Sequence, residues 1–216
     1  MRESLRGLYV LTRPFTGGER ALLEAVEQTL EGGARLVQYR DKGAGASRRR
    51  REAAALAELC GAYGVPVIVN DDPVLAAAVG AGGVHLGRDD APIREARELL
   101  GPSAIIGASC YDRLERARQA ARAGADYLAF GSFHPSPTKP GAVHADTTLL
   151  GAASGLGPAL CAIGGITPEN GAGLVAAGAD LLAVISGVFD AGEPRLAASR
   201  YAALFDDPAN PQGSHS

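Results

Sequence analysis

One short segment of the sequence places an amide and two cations at alternate positions, in Gln38, Arg40 and Lys42. Successive side chains of a β-strand point to opposite faces, so an extended segment would aim all three in one direction. An amide, a guanidinium and an ammonium that converge suit a ligand carrying phosphate or carboxylate. A solvated strand end without a ligand is the other interpretation. We predict an anion-binding strand end.

Carboxylates follow the next two apolar segments of the chain. Asp71 and Asp72 come after the first of these segments, and Asp90 comes after the second. Carboxylates at neighbouring strand ends suit a hard cation such as Mg²⁺, which takes oxygen ligands and often bridges to substrate phosphates. Prolines follow closely in both places, so the same residues could instead begin helices. Spacing alone leaves both interpretations open.

The two lysines of the chain are Lys42 and Lys139, while the other 19 of the 21 basic residues are arginine. Lysine offers a compact ammonium on a flexible stem, where arginine offers a planar fork. We therefore predict that both lysines contact phosphate. Lys139 falls in a long loop over residues 131–141, and loops of this length are typical of binding loops or lids. His134, in the same loop, is a weak candidate for a general base.

Small residues follow the last two predicted strands. Gly165 stands just before Thr167, which is placed to cap a helix, and Ser186 follows the final strand. In barrels of alternating strands and helices, backbone N–H groups at these two places commonly bind phosphate. Glycines required only for packing are the alternative. Ser109, a small hydroxyl after the fifth strand, is weak evidence by itself.

Eight apolar segments predict strands. Four lie at residues 7–11, 65–69, 104–106 and 159–163, and four lie within 33–37, 80–84, 124–128 and 178–182, where the leading glycine is expected to end a helix and the apolar residues after it form the strand. Amphipathic stretches with a helical period lie between them. This alternation predicts a single (β/α)8 TIM barrel over residues 1–205, with a phosphate site after strands 7 and 8. A doubly wound open sheet is the alternative, and the even spacing of the units favours closure. The polar, proline-containing residues 206–216 predict a disordered tail.

The composition excludes several classes of function. A net charge of −3 and a pI near 5.8 argue against binding of nucleic acid or of an anionic membrane surface. Three widely spaced cysteines (Cys60, Cys110 and Cys161) and an amino terminus without a signal-peptide pattern predict reduced thiols in the cytoplasm. We expect small-molecule substrates, with no nucleic acid and no membrane as partners. A homo-oligomer stays open.

Taken in order, several motifs of the chain resemble the thiamine phosphate synthase family. They are Val37-Gln38-Tyr39-Arg40-Asp41-Lys42, Val69-Asn70-Asp71, Gly83-Val84-His85-Leu86-Gly87-Arg88-Asp89-Asp90, Gly107-Ala108-Ser109, Ser136-Pro137-Thr138-Lys139, Ala162-Ile163-Gly164-Gly165-Ile166 and Val184-Ile185-Ser186. The resemblance extends from the first predicted strand to the eighth, and its specificity comes from the combination. Two positions depart from it: the family usually has threonine where Ser136 stands, and commonly glutamine where Arg88 stands.

The resemblance implies that a pyrimidine diphosphate reacts with a thiazole phosphate to give thiamine phosphate and pyrophosphate. It implies Mg²⁺ as cofactor, with Asp71 and Asp90 as its ligands. The implied substrate-binding residues are Gln38, Tyr39, Arg40, Asp41, Lys42, Asn70, Ser109, Ser136, Pro137, Thr138, Lys139, Gly165, Ile185 and Ser186. Of these, the residues expected to take part in catalysis are Arg40, Ser109 and Lys139.

Two other functions compete with this interpretation. A thiazole tautomerase would share the thiazole phosphate site but has no coupling step. It needs neither the full set of pyrimidine contacts nor the pair Asp71 and Asp90, whose joint presence disfavours it. A barrel that binds a phosphorylated ligand without catalysis would be stabilised by that ligand but would release no pyrophosphate.

Overall fold

The computed structural model describes residues 5–135 and 145–206, which form a closed barrel of parallel strands. The strands are β1 (Gly7–Leu11), β2 (Ala34–Tyr39), β3 (Val67–Asn70), β4 (Gly83–Leu86), β5 (Ile105–Tyr111), β6 (Tyr127–Gly131), β7 (Ala159–Ile163) and β8 (Leu181–Val184). The helices are α1 (Gly18–Glu31), α2 (Ala46–Ala62), α3 (Pro73–Ala78), α4 (Ile93–Leu100), α5 (Leu114–Ala123), α6 (Thr148–Ala153), α7 (Pro168–Ala176), α8 (Ser186–Phe189) and α9 (Pro194–Ala202). Short 3₁₀ turns cover Ser154–Leu156 and Ala203–Phe205.

The pairing of the first strand with the last closes the sheet. β1 pairs in parallel with β2 on one side and with β8 on the other, where Gly7 faces Leu181. The other strands pair in sequence order, as expected when each is followed by a helix that returns the chain to the same edge. The prediction of a (β/α)8 barrel is confirmed, and the open doubly wound sheet is excluded.

Strand boundaries agree best where the apolar segment is short and bounded by turns. β1 and β7 have the predicted limits, whereas β5 continues past residue 106 to Tyr111. Gly80 and Gly178 have positive φ, 64° and 107°, in the turns that end the preceding helices, as predicted, and β4 and β8 begin after these turns. The described elements run from Gly7 to Phe205, while residues 207–216 of the predicted tail lie outside the described residues.

Alternation along the strands divides the core into two layers. One apolar cluster lies inside the barrel and includes Leu36, Ile68 and Cys161, and a larger one packs the outer faces of the strands against the helices. Inward and outward positions alternate because successive side chains of a strand point to opposite faces. Inward residues near the carboxyl ends of the strands therefore meet at one mouth. Among the helices in the described part of the chain, none is both long and apolar enough to cross a membrane.

Candidate active site

A cavity of about 690 Å³ opens at the carboxyl ends of the strands, and each of the eight strands contributes to its wall. Because parallel strands of a barrel all end at the same rim, residues far apart in sequence meet there. The cavity brings together most of the described residues predicted for the site: Gln38, Arg40, Lys42, Asn70, Asp71, Asp90, Ser109, Gly165, Ile185 and Ser186. The predicted residues Ser136, Pro137, Thr138 and Lys139 lie outside the described residues, so their roles stay predictions.

Thr12, just after β1, fixes the carboxyl end of β2. Its side chain is 1% exposed, and its hydroxyl oxygen accepts the backbone N–H of Arg40 at 2.8 Å. Its own backbone N–H donates to the carbonyl of Gln38 at 2.9 Å. The two hydrogen bonds extend the pairing of β1 with β2 beyond the last strand residue. They hold the backbone from which the Gln38 and Arg40 side chains reach the cavity.

Tyr39 and Asp41 take supporting positions beside the main cavity, where they line a neighbouring cavity of about 400 Å³. The Tyr39 hydroxyl donates to the buried carboxylate of Glu52 at 2.8 Å, and burial raises the pKa of Tyr39. The Asp41 carboxylate accepts the backbone N–H groups of Gly43 and Ala44 at 2.9 and 3.0 Å, which forms the turn after Lys42. Direct substrate contacts by Tyr39 and Asp41 stay predictions.

The ends of β2, β3 and β4 meet in a cluster of charges. Lys42 Nζ lies 2.9 Å from Asp71 Oδ2, and Asp90 Oδ2 accepts the backbone N–H of Gly87 at 2.6 Å. Burial acts to raise the pKa of Asp71, but hydrogen bonds to Lys42 and Asp90 and the charge of Lys42 together leave that pKa below its ordinary value. Burial and the neighbouring Asp71 carboxylate together raise the pKa of Asp90. Among the described residues, two carboxylates thus share one small region with the ammonium of Lys42.

The backbone of Asp71 has φ 65°, in the left-handed region that non-glycine residues seldom adopt. Its N–H donates to the carbonyl of His85 at 2.8 Å, which ties the end of β3 to β4. Such conformations persist where surrounding contacts hold them and are common at functional sites. This turn directs the Asp71 carboxylate toward Lys42 and Asp90.

The neighbouring Asp72 has a different role. Its Oδ1 accepts the N–H of Leu75 at 2.9 Å and caps α3, and its Oδ2 pairs with Arg49 at 3.0 Å. The helix-start interpretation is therefore confirmed for Asp72. It is not confirmed for Asp90, because α4 begins at Ile93 after Pro92 and has no side-chain cap.

A glycine turn follows β7 on the opposite side of the mouth. Gly164 and Gly165 have φ values of 101° and 61°, and a Cβ on Gly165 would overlap the backbone carbonyl of Pro135. The carbonyl of Gly165 accepts the side-chain amide of Asn170 at 3.0 Å. His134 contributes its backbone here, since its N–H donates to the Gly164 carbonyl at 3.0 Å. The turn thus brings the backbone after β6 against the backbone after β7.

Thr167 caps the start of α7 as predicted, and Asn170 makes the cap reciprocal. The Thr167 hydroxyl accepts the Asn170 N–H, and the Asn170 side chain accepts the Thr167 N–H at 2.9 Å. This capping box fixes the first turn of the helix relative to Gly165.

Hydrogen bonds between inward side chains cross the floor of the cavity. Gln38 Nε2 donates to the Tyr9 hydroxyl at 2.6 Å, and that hydroxyl lies 2.8 Å from the hydroxyl of Tyr127. The Tyr127 hydroxyl lies 2.8 Å from His85 Nδ1, and His85 Nε2 lies 2.8 Å from Ser109 Oγ. Burial lowers the pKa of His85 to about 4, against the opposing charge of Asp71. Two predicted site residues, Gln38 and Ser109, are therefore connected through neutral groups.

A family model described as thiamine monophosphate synthase matches residues 8–188 of the chain. The chain belongs to this family. A thiamine-phosphate synthase from Thiobacillus denitrificans is 55% identical over 206 residues, covering 95% of this chain and 97% of the relative. One from Azoarcus sp. is 53% identical over 206 residues, covering 95% of this chain and all of the relative (100%). The chain is thus an enzyme, a transferase with thiamine-phosphate synthase activity.

Solved structures agree with this assignment. Thiamine phosphate pyrophosphorylase from Pyrococcus furiosus superposes with a TM-score of 0.82 at 35% identity, covering 94% of this chain and 97% of that one. A 3-hexulose-6-phosphate synthase superposes with a TM-score of 0.69 at 18% identity, covering 92% of this chain and 99% of that one, and shares the fold alone.

Tyr9, His85 and Tyr127 complete the hydrogen bonds across the barrel floor, and none of the three is among the predicted site residues. A signal for them is present in the strand pattern. His85 lies between Val84 and Leu86, both of which belong to the outer core. A polar residue between two outward apolar residues must point into the barrel.

Arg88 extends over the rim of the cavity. Its guanidinium carbon lies 5.3 Å from the centroid of the Tyr111 ring, and that of Arg116 lies 5.5 Å from the same centroid. Arg88 is exposed and lines the mouth, so it places a cation close to where anionic substrates enter. Its contact with an anion stays a prediction.

Proposed function

We propose that the chain joins 4-amino-2-methyl-5-(diphosphooxymethyl)pyrimidine to 4-methyl-5-(2-phosphoethyl)thiazole, or to the carboxylated form of that thiazole. The products are thiamine phosphate and pyrophosphate, together with carbon dioxide when the thiazole is carboxylated. The observation that carries the proposal is the convergence of Arg40, Lys42, Asp71, Asp90 and Ser109 on one mouth, within a chain of this family. Cations for a diphosphate and carboxylates for its metal thereby face the same space.

The pyrimidine diphosphate is assigned to the side of the mouth formed by β2 and β3. Gln38, 2% exposed, lies deepest and suits the heterocycle, whereas Arg40 and Lys42 lie nearer the rim and suit the diphosphate. Asn70, at the end of β3, adds an amide to the same cavity wall. Thr12 holds the Arg40 backbone in place, which supports this assignment. A cation that is already positioned loses less conformational entropy when the substrate binds.

Mg²⁺ is assigned to Asp71 and Asp90. Within residues 5–135 and 145–206, no group of three or more His, Cys, Asp or Glu side chains is arranged to hold a metal ion. Two carboxylates fit Mg²⁺ nevertheless, because it usually takes one or two carboxylates and completes its shell with water and substrate phosphates. Burial and the neighbouring Asp71 carboxylate both raise the pKa of Asp90, and a cation between the two carboxylates would offset their repulsion. When bound, Mg²⁺ would neutralise charge on the diphosphate.

The thiazole phosphate is assigned to the opposite side, at Gly165, Ile185 and Ser186. The turn at Gly165 supports this, since it leads directly into the capped start of α7, where helix N–H groups can bind a phosphate. The Asn170 amide holds the Gly165 carbonyl and so keeps the turn in place. The two substrates would then face each other across the mouth.

The chemistry requires no general base. The thiazole nitrogen carries a lone pair and no proton, so it forms the new C–N bond directly as the C–O bond to diphosphate breaks. Pyrophosphate leaves with the electron pair of that bond. Arg40, Lys42 and, by resemblance, Lys139 would stabilise the charge that develops on it. The electron-rich aminopyrimidine would stabilise a cation-like methylene, and exclusion of water by the loops over 41–47 and 131–146 would protect it.

The decisive experiment mixes purified protein, Mg²⁺ and both heterocycles and follows pyrophosphate. We expect pyrophosphate to be released only when the thiazole phosphate is present. The amount released should equal the amount of thiamine phosphate formed. Release without the thiazole would make the protein a hydrolase. Conversion of a thiazole tautomer without pyrophosphate would support the tautomerase instead, and stabilisation by ligands without any conversion would indicate a binding protein.

We also propose that the protein is located in the cytoplasm. The three cysteines are free and buried, in agreement with the reduced thiols expected in the cytoplasm. The homo-oligomer also stays a prediction, and light scattering of the purified protein would measure its mass in solution.

A further inference from the structure

The hydrogen bonds across the barrel floor form a single path whose direction can be deduced. Tyrosine and serine hydroxyls each have one hydrogen, and a neutral imidazole has one N–H and one bare nitrogen. Among the described residues, each of the three groups in the middle of the path has two partners, both within the path. Because a buried hydrogen needs an acceptor, each of these groups must accept one bond and donate the other. The direction of any single bond then fixes the direction of all the others.

The bond at Gln38 sets this direction. Gln38 Nε2 donates to the Tyr9 hydroxyl, so Tyr9 gives its own hydrogen to Tyr127. Tyr127 in turn donates to Nδ1 of His85, and the hydrogen of the imidazole is on Nε2, where it donates to Ser109 Oγ. The hydroxyl hydrogen of Ser109 is then left to point into the cavity that Ser109 lines.

We propose that the three inner residues of this path are positioning residues, which hold Ser109 as a donor and the Oε1 oxygen of Gln38 as an acceptor toward the pyrimidine. The choice of the pyrimidine as ligand rests on the proposed function, whereas the direction of the hydrogen bonds does not. An aminopyrimidine presents accepting ring nitrogens and a donating exocyclic amine. A fixed donor and a fixed acceptor recognise that edge, and a reversed path would place like groups against each other.

Packing holds the path in one geometry. Tyr9 and Tyr127 are 1% and 0% exposed, and the imidazole of His85 stacks on the Tyr127 ring with centroids 5.6 Å apart. Gly107, opposite Tyr127 on the next strand, leaves room for that ring, since a Cβ there would overlap it. A serine hydroxyl by itself rotates freely, so this packed path provides the constraint that the Ser109 side chain lacks.

The direction of the hydrogen bonds can be measured from the tautomer of His85. In protein labelled with ¹⁵N-histidine, we expect the signals of His85 to report hydrogen on Nε2 and a bare Nδ1 at pH 7. His85→Gln assigns those signals by removing them. Tyr127→Phe removes the donor to Nδ1, so we expect His85 to lose its single tautomer in this variant. Hydrogen on Nδ1 in the unaltered protein would overturn the proposed direction.

The affinity for the pyrimidine diphosphate tests whether the path contributes to ligand binding. With Mg²⁺ present, we expect Tyr127→Phe to weaken the Kd about 10-fold, the effect of one hydrogen bond. Tyr201→Phe is the matched control, since it also removes a buried hydroxyl but lies outside the barrel interior, bonded to the Ile166 carbonyl. Equal Kd values for the two variants would overturn the positioning role.

A conservative variant at position 85 distinguishes two roles of His85: holding Ser109 through a hydrogen bond, and filling space in the barrel. Glutamine at position 85 keeps an N–H donor for Ser109, whereas leucine does not. We expect His85→Gln to bind the pyrimidine diphosphate about 10-fold more tightly than His85→Leu, and equal binding would overturn the role of His85. Absence of pyrophosphate release together with the expected tautomer would overturn the proposed function and the choice of ligand, and would leave the hydrogen-bond direction standing.

Discussion

The ammonium of Lys42 lies 2.9 Å from the carboxylate of Asp71, so an expected phosphate contact and an expected metal ligand pair across the ends of β2 and β3. The side chains are 63% and 31% exposed, and solvent screens such a pair, so it adds little to stability. The pair is important because of where it places the two groups. A diphosphate carrying a divalent cation would find both partners in place at the rim.

The first prediction concerns the metal. Asp71→Asn removes the charge of one proposed Mg²⁺ ligand, and we expect the Mg²⁺ concentration for half-maximal activity to rise about 10-fold or more, because loss of a carboxylate weakens a hard cation site. Asp72→Asn is the control, since it keeps a good helix cap and changes the neighbouring charge. Identical metal titrations for the two variants would remove Asp71 from the site.

The second prediction concerns Lys139, which lies outside the described residues. Lys139→Ala should lower kcat for pyrophosphate release by about 10²-fold or more, the loss typical of one electrostatic donor to a developing charge. Arg20→Ala removes a cation from the exposed face of α1, where Arg20 pairs only with Glu24 among the described residues, and should leave kcat unchanged. Near-normal turnover in Lys139→Ala would exclude the proposed role.

The third prediction concerns Thr12. Thr12→Val leaves the Arg40 N–H without its acceptor, so we expect the free energy of unfolding to fall by about 1–3 kcal/mol and the KM for the pyrimidine diphosphate to rise. Thr29→Val provides the comparison, because Thr29 is equally buried but its hydroxyl bonds the Val26 carbonyl within α1. Urea denaturation and steady-state kinetics would measure both effects. A KM unaffected by Thr12→Val would show that this contact does not position Arg40 for binding.

The fourth prediction concerns acid stability. Burial lowers the pKa of folded His85 to about 4, whereas an unfolded histidine titrates near 6.5. Between these values the unfolded chain binds a proton that the folded chain does not, so the free energy of unfolding should fall as the pH falls from 6.5 toward 4. Urea denaturation at several pH values should show a shallower fall for His85→Gln. Parallel profiles for the two proteins would contradict the lowered pKa.

The fifth prediction concerns the turn after β7. Gly165→Ala puts a Cβ at φ 61° and against the Pro135 carbonyl, so it should destabilise the protein and raise the KM for the thiazole phosphate. Gly173→Ala, on the exposed side of α7 with nothing near its Cβ position, should instead stabilise by up to about 1 kcal/mol. Thermal unfolding and kinetics distinguish the two. An unchanged KM in Gly165→Ala would argue against a phosphate at this turn.

Local rules explain the parts of the fold that were predictable. The limits of β1 and β7 follow from short apolar segments between turn residues, and Thr167 caps α7 because its hydroxyl reaches the first N–H groups. The common direction of Gln38 and Arg40 follows from alternation along an extended segment. Each of these depends on residues within a few positions of one another.

The sequence by itself therefore determined the eight-unit barrel and the rim where its polar residues meet. Closure of the barrel decided which side chains from distant parts of the chain contact one another. It brought Asp71 to Lys42 at the charge cluster, and it brought Tyr9 to Tyr127, 118 positions later in the chain. Spacing along the chain cannot specify such contacts, because the register of β1 against β8 and the packing of each inward side chain fix their distances.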